Sequence, residues 1–146
     1  MADFFDYLTW RGDLTFEESS LTDVDALIFC QLAYLNFKGI ISENFDKRIS
    51  LNEVASIFAR DLENGRGNLG LVINKKTIDL LFECAKTKRF CNIDLCGYVD
   101  SYSQALEEQF SALTFVENKN TAFVAFRGTD DTIVGWKEDF NLAFKT

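Results

Sequence analysis

One dense apolar run near the end of the chain dominates its hydrophobic pattern. Ala122 to Phe126 are all apolar, and the run stops at Arg127-Gly128-Thr129-Asp130-Asp131. A short apolar run bounded by turn residues predicts a buried strand with cover on both faces. In open α/β sheets ligands bind beyond the carboxyl ends of strands, so residues 127–131 are the first candidate site. The plainer alternative is a strand, a turn and a helix, with Arg127 in a structural ion pair.

Before this run, two segments show the alternating hydrophobic pattern of strands instead of the helical spacing found earlier in the chain. Leu95–Tyr102 and Gln109–Glu117 read as strands, and Asn118-Lys119-Asn120 turns the second into a strand at Thr121–Arg127. We therefore predict a β-hairpin that pairs Phe110–Val116 with Ala122–Phe126. A last helix is predicted from Gly135-Trp136 onward.

Three helices are predicted before the strands. The first starts at a capping-box-like Thr22, with Asp25 in its first turn, and runs towards Gly39. A second starts at the capping box Ser50-Leu51-Asn52-Glu53. The third spans Asn74–Arg89, and cations suit its negative C-terminus: Lys86, Lys88 and Arg89.

Two other segments allow more than one interpretation. Residues Met1–Ser20 mix aromatic and charged side chains, which favours an irregular arm packed on the domain; an exposed partner-binding patch is the alternative. Gly65–Val72 spells GxGxxGxV, but a helix rather than a strand precedes it, so we interpret it as an interhelix loop.

Composition narrows the function classes. The 146 residues carry a net charge of −8, which argues against a nucleic-acid partner, and they contain no His. No apolar run approaches the length of a membrane span, and no secretory signal is visible. Four Cys without such a signal indicate free thiols in a reducing compartment, so we expect a cytoplasmic protein. We expect no cofactor, and Cys84, Cys91 and Cys96 lack zinc-ligand spacing.

Several motifs resemble a known family. FRGT at Phe126–Thr129, followed by Trp136 and Asp139, resembles the oxyanion-loop segment of class 3 lipases, which are α/β-hydrolases. The sequence resembles a bacterial lipase-like family of unknown function more closely than it resembles the class 3 lipases. Its members resemble YLTWRGDLTF at Tyr7–Phe16, VDALIFCQLAYLNF at Val24–Phe37, QFSALTF at Gln109–Phe115 and FRGTDDTIVGWKEDF at Phe126–Phe140.

The resemblance implies an α/β class, as the N-terminal portion of an α/β-hydrolase-like fold: three helices, a β-meander or hairpin, and a final helix. Residues 1–146 would form one incomplete domain, mainly helical over 1–90, with strands, oxyanion-type loop and helix over 91–146. The family pattern continues with a GHSxGG nucleophile elbow, an acid and a His, none of which occurs here. The downstream catalytic part is therefore expected elsewhere. The exposed strand edge left behind predicts self-association.

The same resemblance assigns roles to the candidate site. Thr129 would supply an oxyanion-hole amide and hydroxyl, and Gly128 would allow close approach. Arg127 would pin the loop by pairing with Asp139 or Glu138, or else remain solvated. Two function classes stay open: the oxyanion-hole half of a serine esterase or lipase acting on an ester or lipid, and a non-catalytic lipase-like module that binds a protein or lipid partner.

The first prediction follows from the missing His and nucleophile elbow. Purified residues 1–146 should not hydrolyse p-nitrophenyl acetate or butyrate above a buffer blank and a heat-treated control. Turnover that copurifies with the chain and labels one of its serines with a fluorophosphonate would contradict this expectation.

Overall fold

The fold combines helices with one antiparallel sheet. It is a computed structural model that describes residues 3–65, 75–103, 108–118 and 121–127. Four helices are described: α1 (Phe4–Arg11), α2 (Asp23–Leu32), α3 (Leu51–Glu63) and α4 (Lys75–Lys86). The strands are β1 (Ile49–Ser50), β2 (Asp94–Ser103), β3 (Glu108–Asn118) and β4 (Thr121–Arg127), in sheet order β1-β2-β3-β4. Among these described helices, none is long and apolar enough to cross a membrane.

The predicted hairpin is present. Strands β3 and β4 pair antiparallel, with Ala112 opposite Phe126 and Val116 opposite Ala122. The boundaries of β2 and β3 lie within one residue of those predicted. The short β1, which pairs with the start of β2, was not predicted, because two residues carry no detectable period. The described part of the predicted meander is thus confirmed, whereas the predicted final helix lies outside the described residues.

The prediction of an irregular N-terminal arm is wrong over Phe4–Arg11, which forms α1, whereas the predicted packing of its aromatic side chains on the domain is confirmed for Phe16, which is buried in the core. The start of α1 is a capping box: the Asp3 carboxylate accepts from the Asp6 amide, and the Asp6 carboxylate accepts from the Asp3 amide, both at 3.0 Å. Two reciprocal bonds satisfy amides that a helix start leaves without partners. The described residues therefore contain four helices before β2 rather than the three expected.

The predicted helix ends also need correction. Helix α2 ends at Leu32 and not near Gly39, because the chain tightens there into turns such as Leu35 N–H to Leu32 C=O at 3.0 Å. Helix α4 ends at Lys86 and not at Arg89. The Thr87 hydroxyl donates to the Cys84 carbonyl at 2.7 Å and so satisfies one of the carbonyls that a helix end leaves open. The starts were predicted better: Thr22 caps α2 and Ser50 caps α3.

The core lies between the helices and one face of the sheet, and Phe29 is at its centre. The Phe29 ring from α2 stacks on Phe115 of β3, with centroids 4.3 Å apart and planes inclined by 17°. It also meets Phe123 of β4 at 5.5 Å and Phe90 edge-on at 5.8 Å. These contacts fix α2 against the hairpin, because aromatic pairs at such distances add to the free energy of burial.

Strand β4 is packed on one face only in the described structure. Phe123 and Ala125 are buried, whereas Val124 and Phe126 are exposed. The prediction of a strand covered on both faces is therefore met on the helix side alone.

A buried ion pair joins the first helices to the turn after α4. Arg89 and Asp25 side chains are both fully buried, with Nη2 to Oδ2 at 2.5 Å and Nε to Oδ1 at 2.9 Å. The Asp25 carboxylate also accepts from the Tyr7 hydroxyl at 2.9 Å and from the Thr22 amide at 2.8 Å. Burial raises the pKa of Tyr7, and its bond to Thr22 partly opposes the shift. The carboxylate thus has partners from α1, the α2 cap and Arg89.

The remaining donors of Arg89 hold the chain between α1 and α2. Nη1 reaches the carbonyls of Leu14 at 3.0 Å and Ser19 at 2.9 Å, and Nη2 reaches that of Ser20 at 3.2 Å. Its guanidinium also lies 4.0 Å from the centroid of the Phe16 ring. Desolvation lowers the pKa of Arg89, but the hydrogen bonds and charge of Asp25 outweigh it and raise the pKa above its ordinary value. The guanidinium is therefore charged at every physiological pH.

The second prediction concerns this ion pair. Arg89→Met should lower the free energy of unfolding by about 3–5 kcal/mol, because it leaves the Asp25 carboxylate buried without its cation. Lys88→Met is the matched control: Lys88 is exposed, its nearest anion is Glu18 at 3.7 Å, and its loss should change stability by less than about 0.5 kcal/mol. Urea unfolding followed by circular dichroism measures both.

The doubly substituted Asp25→Asn, Arg89→Met protein completes the cycle. It should be less destabilised than the sum of the two single variants, because neither charge is then left alone. Additive losses would contradict a coupled pair.

Candidate functional site

The candidate site begins where β4 ends, at Arg127. The β3–β4 register places Arg127 opposite Ser111, whose side chain is buried. The Ser111 hydroxyl donates to the Asp100 carboxylate of β2 at 3.1 Å. Three adjacent strands thus bring a carboxylate, a hydroxyl and a guanidinium to one end of the sheet.

Arg127 connects this end of the sheet to the segment after α2. Its Nη1 donates to the backbone carbonyl of Tyr34 at 3.2 Å, and its guanidinium carbon lies 5.4 Å from the centroid of the Tyr34 ring. A charge-assisted hydrogen bond to a carbonyl is among the stronger kinds in proteins. The last residue of β4 is therefore fixed from two sides, by the hairpin ladder and by this contact.

One donor of Arg127 has no hydrogen-bond partner within the described ranges. Its Nε is buried, whereas the side chain as a whole is half-buried. A buried donor without a partner costs about 1–3 kcal/mol of desolvation. The sequence-based expectation was that Arg127 pairs with Asp139 or Glu138. Both acids lie outside the described residues, as do Gly128 and Thr129, so these assignments stay predictions.

Tyr98 is the buried phenol on the same side of the sheet. Its ring meets Phe37 edge-on at 5.9 Å, and its amide donates to the Ser42 carbonyl at 3.0 Å. Burial is the main cause that raises the pKa of Tyr98; the nearby Asp100 charge adds to it, and Arg127 opposes it. The phenol is therefore neutral near pH 7 and suited to donate a hydrogen bond rather than to act as a base.

The sequence analysis identified Arg127 as a candidate residue but did not predict its hydrogen bond to the Tyr34 carbonyl. The Tyr34 contact is made by a backbone carbonyl, which leaves no mark in the side-chain pattern. Asp100 and Ser111 were also missed, because each reads as an ordinary strand residue until the register brings them together. The alternating pattern of apolar and polar residues in β2 and β3 was the signal that could have suggested their pairing.

The described residues also contain two clefts away from this end of the sheet. One, of about 370 Å³, lies between α1 and α4 and is lined by Asp3, Phe4, Phe5, Gln31, Lys76, Thr77 and Leu80. The other, of about 220 Å³, lies beside the buried ion pair and is lined by Thr15, Phe16, Glu17, Lys88, Arg89, Asn92, Ile93 and Glu117. We favour the end of β4 over both clefts, because Arg127 there has a buried Nε without a hydrogen-bond partner in the described ranges.

The described residues form a mixed α and β domain in which the last residue of β4 is anchored to the segment after α2. Residues 84–146, from the last turn of α4 through all of β2–β4 to Thr146, match a protein-family model described as Mbeg1-like. The matched part includes Tyr98, Asp100, Ser111 and Arg127, but not Tyr34, whose carbonyl anchors Arg127. Neither the curated proteins nor the solved structures gave a match. The family description names no chemistry, so function has to be argued from the residues.

The third prediction tests the Arg127 anchor. Arg127→Met should lower the free energy of unfolding by about 1–2 kcal/mol, because loss of the charged donor's bond to Tyr34 is offset in part by removal of the buried Nε that has no partner in the described ranges. Arg60→Met is the matched control, since Arg60 is exposed on α3 and its loss should stay within about 0.5 kcal/mol. Thermal unfolding of both variants is the measurement, and equal shifts in Tm would show that the Tyr34 contact contributes nothing.

Proposed function

We propose that this chain supplies the oxyanion-hole segment of a serine esterase or lipase-like α/β-hydrolase. The observation that carries the proposal is the anchoring of Arg127, which ties the end of β4 to the Tyr34 carbonyl. The next residues, Gly128 and Thr129, continue the FRGT motif that resembles the oxyanion loop of class 3 lipases. A loop that begins at a fixed residue loses less conformational freedom when it presents its donors.

The chemistry assigned to this segment is stabilisation of negative charge. When a serine attacks an ester, the carbonyl oxygen becomes an oxyanion, and preorganised N–H and O–H donors lower the barrier. Thr129 offers both an amide and a hydroxyl, and Gly128 lacks the Cβ that would keep the substrate at a distance. Arg127 and Asp139 have supporting roles, holding the loop by an ion pair.

The nucleophile and base must come from residues outside this chain, because its 146 residues contain no His and no Gly-x-Ser-x-Gly motif. The proposal therefore assigns catalysis to a longer protein that contains this chain. In that protein the described antiparallel hairpin would be one part of a larger sheet. Its substrate class is an ester or a lipid.

A second candidate is a non-catalytic lipase-like module that binds a protein or lipid partner. The exposed apolar side chains on the hairpin favour it, because such groups often mark contact surfaces: Phe110, Val124 and Phe126. A degenerate nucleophile elbow in the longer protein would support this candidate, whereas an intact elbow followed by a His would support the enzyme.

The fourth prediction separates a catalytic from a structural Thr129. In the longer protein, acting on an ester that it hydrolyses, Thr129→Val should lower kcat by about 10²-fold or more with little change in KM. The substitution keeps shape and backbone amide but removes the hydroxyl. Thr132→Val, three residues along the same segment, is the matched control and should leave kcat unchanged.

A purely structural Thr129 gives a different result. The Thr129→Val protein would then unfold at a lower temperature while keeping the wild-type kcat. That outcome would remove the hydroxyl from the mechanism and leave only the backbone amide as a donor.

A further inference from the structure

The β3–β4 hairpin presents an exposed apolar face on the side away from the helices. We call this surface the outer face and define it by Phe110, Val124 and Phe126, which are 44%, 37% and 39% exposed. The Phe110 and Phe126 rings lie against each other, with centroids 5.8 Å apart. The three side chains therefore form one patch rather than scattered single contacts.

The sequence of β4 indicates that this patch is covered in the folded protein. An antiparallel strand with one face in water normally alternates apolar and polar residues, whereas a strand covered on both faces is apolar throughout. Ala122 to Phe126 are all apolar, with Phe123 and Ala125 buried against the helices. The outer positions of β4 thus have the composition of a second packed layer.

The chain itself provides a segment of matching chemistry directly after β4. Trp136, Phe140, Ala143 and Phe144 recur at helical spacing i, i+4, i+7 and i+8, which puts them on one stripe of a helix. The intervening positions carry acidic, amide and basic side chains, with Leu142 as the one apolar exception. Such a segment has one apolar face to bury and one polar face for water.

The lengths agree with a helix that returns along the hairpin. Residues 128–135 can span up to about 26 Å when extended, and the seven-residue β4 is about 23 Å long. A helix over residues 136–146 would be about 16 Å long, which is about the length of the five-residue apolar run Ala122–Phe126 in β4. The connection is therefore long enough to place the stripe on the outer face.

We propose that residues 136–144 of this chain dock on the outer face, with Trp136 and Phe140 against Phe110, Val124 and Phe126. This occupant is favoured over a second copy of the chain. A stable interface between separate proteins buries about 800 Å² per partner, which three half-exposed side chains do not supply. A tethered segment needs less area, because its attachment to β4 gives it a high effective concentration.

Fluorescence of Trp136 tests the docking in the 146-residue chain. The chain has two Trp residues, and Trp10 is 65% exposed, so Trp10→Phe isolates Trp136 without disturbing the core. Docked Trp136 should emit at a shorter wavelength than in guanidinium and should resist quenching by acrylamide. Emission and quenching equal to those of the unfolded chain would overturn the proposal.

Two substitutions in the segment supply a matched pair. Phe140→Ala should shift the Trp136 emission to longer wavelength and increase its quenching, because Phe140 shares the apolar stripe. Leu142→Ala should change neither, because position 142 lies on the opposite side of the helix. Equal effects of the two variants would contradict a docked stripe, and far-UV circular dichroism verifies that both remain folded.

Crosslinking identifies the occupant directly. In a Cys91→Ser background, Val124→Cys is combined either with Ala143→Cys on the stripe or with Leu142→Cys opposite it; Cys30, Cys84 and Cys96 are buried. A short bismaleimide should crosslink the 124–143 pair within one chain and leave the 124–142 pair largely unreacted. Equal crosslinking of both pairs, or crosslinks only between chains that disappear on dilution, would overturn the proposal, the latter in favour of a second copy.

Discussion

The structure depends on the buried pair between Asp25 and Arg89. Neither charge has access to water, so each is tolerated only because the other is present, with hydrogen bonds filling the remaining positions. The partners come from four separate parts of the chain: helix α1 through Tyr7, the cap of α2, the connecting segment and the turn after α4. One ion pair therefore fixes how residues 3–22 lie on the rest of the described domain.

Helix α2 links the buried ion pair to the candidate site. Its first turn contains Asp25, its middle places Phe29 on Phe115 and Phe123, and the chain just beyond its end offers the Tyr34 carbonyl to Arg127. Because a ten-residue helix is stiff over about 15 Å, these three contacts act on one rigid element. Any displacement of α2 at its capped end would therefore also displace its contacts with the hairpin and with Arg127.

Local rules predicted the parts of the fold that depend on neighbours in sequence. The cap at Thr22, the cap at Ser50 and the β3–β4 hairpin each follow from a few adjacent residues, and each is present. The same rules failed where a distant partner decides. Arg89 was predicted to lie in the last turn of α4. The helix instead ends before it, where the Thr87 hydroxyl bonds the Cys84 carbonyl, and Arg89 is buried in an ion pair with Asp25.

At the candidate site, too, the sequence predicted some features and not others. Arg127 stood out because an apolar run stops there, whereas its contact with a backbone carbonyl has no sequence signal. The missed α1 shows another limit: its capping box at Asp3 was readable, but the mix of aromatic and charged residues obscured the period. The terminal capping motif was therefore a better guide than hydrophobicity in that segment.

The buried Nε of Arg127 bears on the proposed loop. The Tyr34 carbonyl is neutral and occupies Nη1, so it neither balances the charge of the guanidinium nor satisfies Nε. A carboxylate would do both, and Asp139 and Glu138 are the acids that the sequence offers shortly after Trp136. A bond from Nε to either acid would be the alternative to docking of residues 136–144 on the outer face, because the Arg127 guanidinium lies on the helix side of the sheet. It would draw residues 138–139 back to the end of β4 and close the segment that contains Gly128 and Thr129 into a loop held at both ends. The donors of an oxyanion hole require that rigidity, because only donors already in place avoid reorganisation as the charge develops.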